Sequence, residues 1–271
     1  MVTLAGRVRR RRLVLLAVVL AIVAWYAVPW IRRIPADGPV AVIAHRGAPA
    51  GTTAPEGTIE AFRAAIDAGA DWLEFDVRAT SDGVLVVLHD DTVDRTTNGV
   101  GRIGDLTFDQ VRALDAGGGA RIPTVREVVE LARAAAVPIL PEVKDGQAGS
   151  IAAEALIDLL LAADYLDHAV IQAFEPETLS ALRAKAPKVR LCHLTGWGEF
   201  DITSPPAASE FVCPMGEMIL LDPDMIRQAH EAGLEVFAWW DFAESGPANA
   251  VLTAYGVDGL IVDDLETVAG N

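Results

Sequence analysis

From Val40 to Val262 the chain alternates short apolar runs with amphipathic stretches, and this alternation limits the possible folds more than any other feature. The runs Ala41–Ala44, Trp72–Val77, Val84–Leu88, Ile139–Val143, Ala169–Ala173, Val189–Leu194, Glu210–Cys213, Leu234–Trp240 and Leu260–Val262 are predicted strands. Helical spacing lies between them. Thr58–Ala68 places Ile59, Phe62 and Ile66 on one face with Gly69 as a stop, and Thr107–Leu114 is a short helix. Thr124-Val125-Arg126-Glu127 is a capping box that starts a helix running toward Ala136. Further helices are predicted over Ser150–Ala163, from Pro176, near Asp222-Pro223 and from Pro247.

Strands that alternate with helices pair in parallel and carry the helices outside. About 235 residues with eight or nine strands fit a (β/α)₈ TIM barrel, typically ~250 residues, better than a smaller doubly wound sheet. Nine runs compete for eight places, and Glu210–Cys213 is the weakest of them. Arg78–Gly83 is too short for a helical crossover, so the second and third strands are joined either by an extended connection or as a hairpin.

The chain has 271 residues, a size for one large domain or two small ones, and no linker or charge block divides the alternating region. Its net charge of −16 is unevenly spread. Arg7, Arg9, Arg10, Arg11 and Arg12 precede an uncharged apolar run, Leu13 to Trp30, which nearly reaches the ~20 residues that span a bilayer. Trp25, Tyr26 and Trp30 crowd its far end as interfacial aromatics do, which favours an uncleaved anchor over a signal peptide. The five arginines, against Arg32 and Arg33 beyond the run, place the amino terminus in the cytoplasm and the domain outside the membrane. Residues 1–36 therefore read as a basic tip, a single transmembrane helix and a short stalk, and residues 37–271 as one barrel domain.

The remainder carries about −23, which excludes nucleic acid as a partner, because phosphate backbones bind basic clusters. Two cysteines are too few for a disulfide scaffold or a cysteine zinc site. Cys192 and Cys213 lie in apolar strand-like runs, where two buried free thiols fit at least as well as a bridge.

In a barrel of this kind the chemistry sits where strands end. The first strand ends His45-Arg46-Gly47 and the third His89-Asp90-Asp91. In the second, Glu74 and Asp76 alternate with Leu73, Phe75 and Val77, so both carboxylates share one face. The fourth ends Pro141-Glu142-Val143-Lys144. Glu74, Asp76 and Glu142 facing one interior would repel each other strongly unless a cation offset them, and three oxygen donors suit Ca²⁺ or Mg²⁺ rather than zinc. Two histidines can divide acid and base work near neutral pH. Arg46 and Lys144 supply positive charge for an anionic group, most simply a phosphate. Together these describe phosphodiester chemistry, with attraction of an anionic substrate supplied locally against the charge of the domain.

The same residues resemble the glycerophosphodiester phosphodiesterase family. The resemblance is carried by His45-Arg46-Gly47, Ala54-Pro55-Glu56-Gly57-Thr58, Glu74-Phe75-Asp76-Val77, Ser81-Asp82-Gly83, His89-Asp90, Ile122-Pro123-Thr124, Pro141-Glu142-Val143-Lys144, Trp239 and Gly256-Val257-Asp258-Gly259-Leu260-Ile261. It implies a (β/α)₈ barrel that cleaves glycerophosphodiesters to glycerol 3-phosphate and an alcohol. His45 and His89 would be the acid/base pair. Glu74, Asp76 and Glu142 would hold one divalent cation, Ca²⁺ or Mg²⁺, with Mn²⁺ also suitable. Arg46, Glu56 and Lys144 would line the phosphate and metal site, and Trp239 would pack on the glycerol side. Two departures bear on substrate preference. Gly57 stands where the family usually has Asn, and Trp239-Trp240-Asp241-Phe242 where it tends to have Trp-Thr-Val-Asn. With a membrane anchor the substrate could also be a lysophospholipid or a glycerophosphate polymer at the cell surface. Another class of reading is a catalytically silent, anchored binding protein. His168, His193 and His230 match no motif and read as structural or surface residues.

Overall fold

The computed structural model describes residues 39–268 apart from 49, 51 and 145–148. The expected anchor, Leu13 to Trp30, lies outside the described residues, and among the described residues no helix is long and apolar enough to cross a membrane.

Eight strands pair in parallel and close on themselves. They are β1 (Ala41–Ala44), β2 (Trp72–Ala79), β4 (Ile139–Val143), β5 (Val170–Ala173), β6 (Arg190–Thr195), β7 (Phe211–Pro214), β8 (Glu235–Ala238) and β9 (Gly259–Val262). Around the barrel they run β1-β9-β8-β7-β6-β5-β4-β2, and β1 closes onto β2 with Ala44 opposite Leu73. The ninth strand, β3 (Leu85–Val87), is antiparallel to the upper end of β2, where Val77 faces Val87. The connection is thus a hairpin: Arg78 and Ala79 still belong to β2, opposite Val86 and Leu85, and Thr80 to Val84 make the turn. The expectation that the Glu210 run was the strand to discard is corrected: Phe211–Pro214 is a full barrel strand between β6 and β8, and β3 is the strand outside the barrel.

Helices pack outside: α1 (Ile59–Asp67), α2 (Phe108–Ala113), α3 (Val125–Ala135), α4 (Gly149–Ala162), α5 (Pro176–Lys185), α6 (Gly216–Leu221), α7 (Asp224–Glu231) and α8 (Gly246–Tyr255). The Thr124–Glu127 capping box forms as expected, and a second joins Thr107 and Gln110 at the start of α2. The short helix α6 has no periodic signal of its own in the sequence.

The pleat sorts side chains between two cores. Leu73, Phe75 and Val77 of β2 point outward into the layer shared with Phe62, Val128 and Leu156 of the helices. Inside the barrel Ile43, Leu140, Val170, Phe211, Phe237 and Ile261 pack together with no helix contributing. Each such fully buried aliphatic or aromatic side chain contributes ~1.5–3 kcal/mol over its exposed state. Cys192 and Cys213 lie in this inner core and are joined as a disulfide, with Cα atoms 6.0 Å apart. The free-thiol alternative is therefore corrected. Neighbouring strands β6 and β7 bring the pair together, Leu194 standing opposite Cys213 and Cys192 opposite Phe211.

Between β3 and α3 the chain forms a small lobe with its own apolar centre of Val86, Leu88, Val93, Ile103, Val111 and Ile122. The lobe fixes His89 beside the carboxyl ends of β1, β2 and β4.

Candidate active site

Strand β2 is the base of the site. Alternation turns Glu74 and Asp76 into the barrel, where both are almost fully buried, and register sets Glu142 of β4 directly opposite Asp76. Carboxylate oxygens of Glu74, Asp76 and Glu142 all lie within 4.8 Å of one another. Burial, then the charge of Asp76, pushes Glu74 up to about 7. Burial also pushes Glu142 up to about 7, against the pull of Lys144. Asp76 moves the other way, down to about 2, because Lys144 and Arg46 more than offset its burial.

The two cations come from neighbouring strand ends. Lys144 Nζ sits 2.7 Å from Glu142 and 2.9 Å from Asp76. Arg46 Nε lies 3.3 Å from Asp76 and its Nη1 3.5 Å from Glu56, while its backbone N–H donates to Glu74 at 3.0 Å. That backbone bond requires a sharp turn after β1: Arg46 adopts φ 51°, at a cost of ~1–2 kcal/mol for a residue with a Cβ. Gly47 follows at φ 86°, and a Cβ there would meet Ala61 Cβ at 2.8 Å. Gly57, one of the two departures from the family pattern, has φ 67° and donates its N–H to the Arg46 carbonyl. Glycine and asparagine both enter that conformation readily, so the exchange leaves the loop backbone intact.

Each histidine is held by an aspartate. His45 Nδ1 is 2.6 Å from Asp263 Oδ1, and its Nε2 reaches to 4.0 Å from Glu74. Burial lowers the affinity of His45 for a proton, but the Asp263 bond and the Glu74 charge prevail, and its pKa is raised. His89 Nδ1 is 2.7 Å from Asp90 Oδ1, and Arg78 donates twice to the His89 carbonyl. Burial, with Lys144 and Arg46 nearby, lowers its pKa. Glu56 and Asp90 are joined by Arg95, which donates to both. Arg46, Glu56, Asp76 and His89 line one cleft.

Trp239 follows β8 and contacts none of the other expected residues in the hydrogen bonds and ring contacts described. Its Nε1 donates to the Cys213 carbonyl at 3.0 Å, and its ring meets Phe174 edge-on at 5.8 Å. His168, His193 and His230 stand apart, with His230 bound to Asp258.

Sequence reading missed three contributors, Asp263, Arg95 and Gln172, and named Asp90 at a strand end without giving it a role. Gln172 of β5 donates to Glu74 at 3.1 Å. Asp90 follows His89 and Asp263 follows the last strand, so both occupy the strand-end positions where polar residues had already been sought. Gln172 and Arg95 carried no such signal.

The donor set fits a hard divalent cation. It is all oxygen, buried, and gathered within 4.8 Å. Beside it stand two imidazoles and two cationic side chains, the groups that in-line displacement at phosphorus requires.

Known proteins share this sequence and fold. A sequence model of the Glycerophosphoryl diester phosphodiesterase family matches residues 45–267. A glycerophosphodiester phosphodiesterase of Caldanaerobacter subterraneus subsp. tengcongensis is 33% identical over 235 residues, 84% of this chain and 95% of its own. The crystal structure of a glycerophosphodiester phosphodiesterase from Agrobacterium tumefaciens superimposes with a TM-score of 0.74 at 26% identity, over 86% of this chain and all of that one. A phosphodiesterase of Oleispira antarctica, solved with the product sn-glycerol-3-phosphate, shares the fold with a TM-score of 0.75 at 23% identity, over 84% of this chain and 95% of its own. The chain belongs to the glycerophosphoryl diester phosphodiesterase family, a family of phosphoric diester hydrolases.

Proposed function

We propose that the barrel hydrolyses glycerophosphodiesters to glycerol 3-phosphate and an alcohol, with His45 and His89 as the acid/base pair. The observation that carries this reading is the pair of aspartate-held imidazoles beside one buried three-carboxylate cluster. An aspartate on Nδ1 fixes each ring so that Nε2 is the atom left for proton transfer. One imidazole takes a proton from the nucleophile, water or the neighbouring glycerol hydroxyl. The new bond forms from that oxygen to phosphorus, the bond to the alcohol oxygen breaks, and the other imidazole protonates the departing oxygen. Where the glycerol hydroxyl attacks, the cyclic phosphate so formed is opened by a water with the two imidazoles in exchanged roles, giving glycerol 3-phosphate. Arg46 and Lys144 stabilise charge on the phosphoryl oxygens, and Trp239 packs on the glycerol side. Glu74, Asp76 and Glu142 would hold Ca²⁺, Mg²⁺ or Mn²⁺, which when bound neutralises phosphoryl charge as a Lewis acid. The Oleispira relative solved with glycerol 3-phosphate supports this product.

The membrane-anchored arrangement, with residues 37–271 on the extracytoplasmic side, belongs to the same proposal. The Cys192–Cys213 bridge supports it, because disulfides persist in oxidising compartments. The test is release of glycerol 3-phosphate from a panel of glycerophosphodiesters and lysophospholipids with each cation supplied. Turnover that disappears in EDTA, in His45→Ala and in His89→Ala is the expected result. No release from any diester would overturn the proposal.

A further inference from the structure

The two imidazoles stand on differently built supports. His45 follows β1, and Asp263, which holds it, follows the neighbouring strand β9 of the closed barrel. His89 follows β3, the strand outside the barrel, and its partner Asp90 belongs to the lobe. The main chain there is fastened to β2. Leu88 N–H donates to the Asp76 carbonyl at 3.1 Å, and Arg78 donates to the His89 carbonyl at 2.9 and 2.7 Å. None of these bonds fixes the rotation of the ring. That falls to Asp90 Oδ1, 2.7 Å from Nδ1, and a partly exposed carboxylate is free to turn unless another group holds it.

Arg95 is that group. Its Nε donates to Asp90 Oδ2 at 2.7 Å and its Nη2 to Oδ1 at 3.1 Å, so the plane of the carboxylate is clamped while Oδ1 still meets His89. The far edge of the same guanidinium grips Glu56, with Nη1 2.8 Å from Oε2 and Nη2 2.8 Å from Oε1. A guanidinium carries its donors in a fixed planar fork and can meet a carboxylate on each of two edges, which an ammonium cannot do. All four bonds are charge-assisted.

Glu56 is tied to the barrel in its turn. It lies in the loop between β1 and α1, and its Oε1 also accepts from Arg46 Nη1 at 3.5 Å. Charges therefore alternate without a break from Arg46 through Glu56, Arg95 and Asp90 to His89, along the cleft that Arg46, Glu56, Asp76 and His89 line. The backbone that presents Arg95 is pinned on both sides. Thr97 donates its N–H and its hydroxyl to the carbonyl of Val93 at 3.1 and 2.7 Å, and Val93 is buried in the lobe. Gly101 N–H donates to Asp94 at 2.8 Å.

We propose that Arg95 is a positioning residue of the hydrolase: anchored to the barrel by Glu56, it locks the His89 imidazole through Asp90 and leaves Nε2 as the atom for proton transfer. The inference rests on the hydrolase reading above and adds to it a residue that acts only through others. His45 needs no counterpart, because the strand beside its own supplies its aspartate.

The test is a double-mutant cycle on the metal-loaded enzyme, with the best glycerophosphodiester of the panel as substrate. Arg95→Ala is expected to lower kcat about 10- to 100-fold, the loss seen when the partner that orients a working imidazole is removed. In an Asp90→Ala background the same substitution should cost less than about threefold, because the link it acts through is already gone. Equal losses in the two backgrounds, or full kcat in Arg95→Ala, would overturn the proposal. Should Arg95→Ala fail to fold, Arg95→Lys takes its place in the cycle, since an ammonium cannot bridge both carboxylates. Imidazole ¹⁵N chemical shifts, assigned with His89→Ala, read the ring without turnover. At pH 8 His89 should show one tautomer, with its hydrogen on Nδ1, and the Arg95 variant should average the two. Identical spectra would overturn the proposal. A wild-type enzyme that releases no glycerol 3-phosphate would overturn the hydrolase reading instead, and the spectra alone would then decide whether Arg95 locks the ring.

Discussion

Asp263 holds His45 at 2.6 Å across 218 residues of sequence, because strand β9 lies beside β1 with Val262 opposite Ala44. The barrel closure that joins the first strand to the last therefore also builds one half of the acid/base pair. Glu244 accepts from the backbone of Asp263 and Asp264 at 2.9 and 3.2 Å and fixes the aspartate in turn. Asp263→Asn keeps the shape but removes the charge that raises His45. The limb of the pH profile of kcat/KM that belongs to His45 is expected to move to lower pH, and kcat to fall about 10- to 100-fold. An unshifted profile would show that Asp263 does not govern this imidazole.

The carboxylate cluster predicts a proton-coupled metal affinity. Glu74 and Glu142, each pushed up to about 7, must lose protons before they can bind a cation. Affinity for Mg²⁺ or Ca²⁺, measured by calorimetry, should weaken as pH falls from 8 to 6. At pH 8 a cation at 100 times its Kd should raise Tm by about 5–10 °C, and Glu142→Gln should abolish that rise. A Tm rise that survives the substitution would place the ion elsewhere.

Local patterns made much of this legible in sequence. Ile139–Val143 is a strand over the same residues that its apolar run predicts, and the Thr124–Glu127 box forms because its four residues need nothing from outside the helix start. Glu74 and Asp76 share a face because the period of a strand is two. What failed depends on pairing between distant segments. Phe211–Pro214 is short and weakly patterned, and it earns strand geometry only from β6 and β8 on either side. The Cys192–Cys213 bridge depends on the relative register of β6 and β7, which neither run encodes alone. Arg95 lies in the irregular lobe, where no periodicity indicates which way a side chain points.

Arg95 predicts acid sensitivity. It bonds Asp90 and Glu56 together, and both carboxyls are held below their ordinary values of 3.8 and 4.5: Asp90 chiefly by that bond, Glu56 by the same bond against its burial. Groups depressed in the folded state stabilise it above those ordinary values and lose that contribution as pH falls through the folded ones. Between pH 5 and 3 the wild-type Tm should therefore decline more steeply than that of Arg95→Ala. Parallel curves would mean that the network makes no pH-dependent contribution.

The disulfide predicts both stability and compartment. It closes a loop between residues 21 apart inside the barrel, a constraint on the unfolded chain of roughly 3 kcal/mol. In the purified barrel under denaturing conditions no thiol should react with Ellman's reagent until a reductant is added. Cys192→Ala/Cys213→Ala should lower Tm by about 6–12 °C, from that loss together with ~2–4 °C per kcal/mol for a domain of this size. The substitution also removes sulfur from the inner core beside Leu194 and Phe211, so Cys192→Ser/Cys213→Ser separates the two causes. Hydroxyls nearly fill the space but cannot bridge, and a similar loss in both variants assigns the effect to the crosslink. Full stability of the double serine variant would show that packing alone holds β6 against β7.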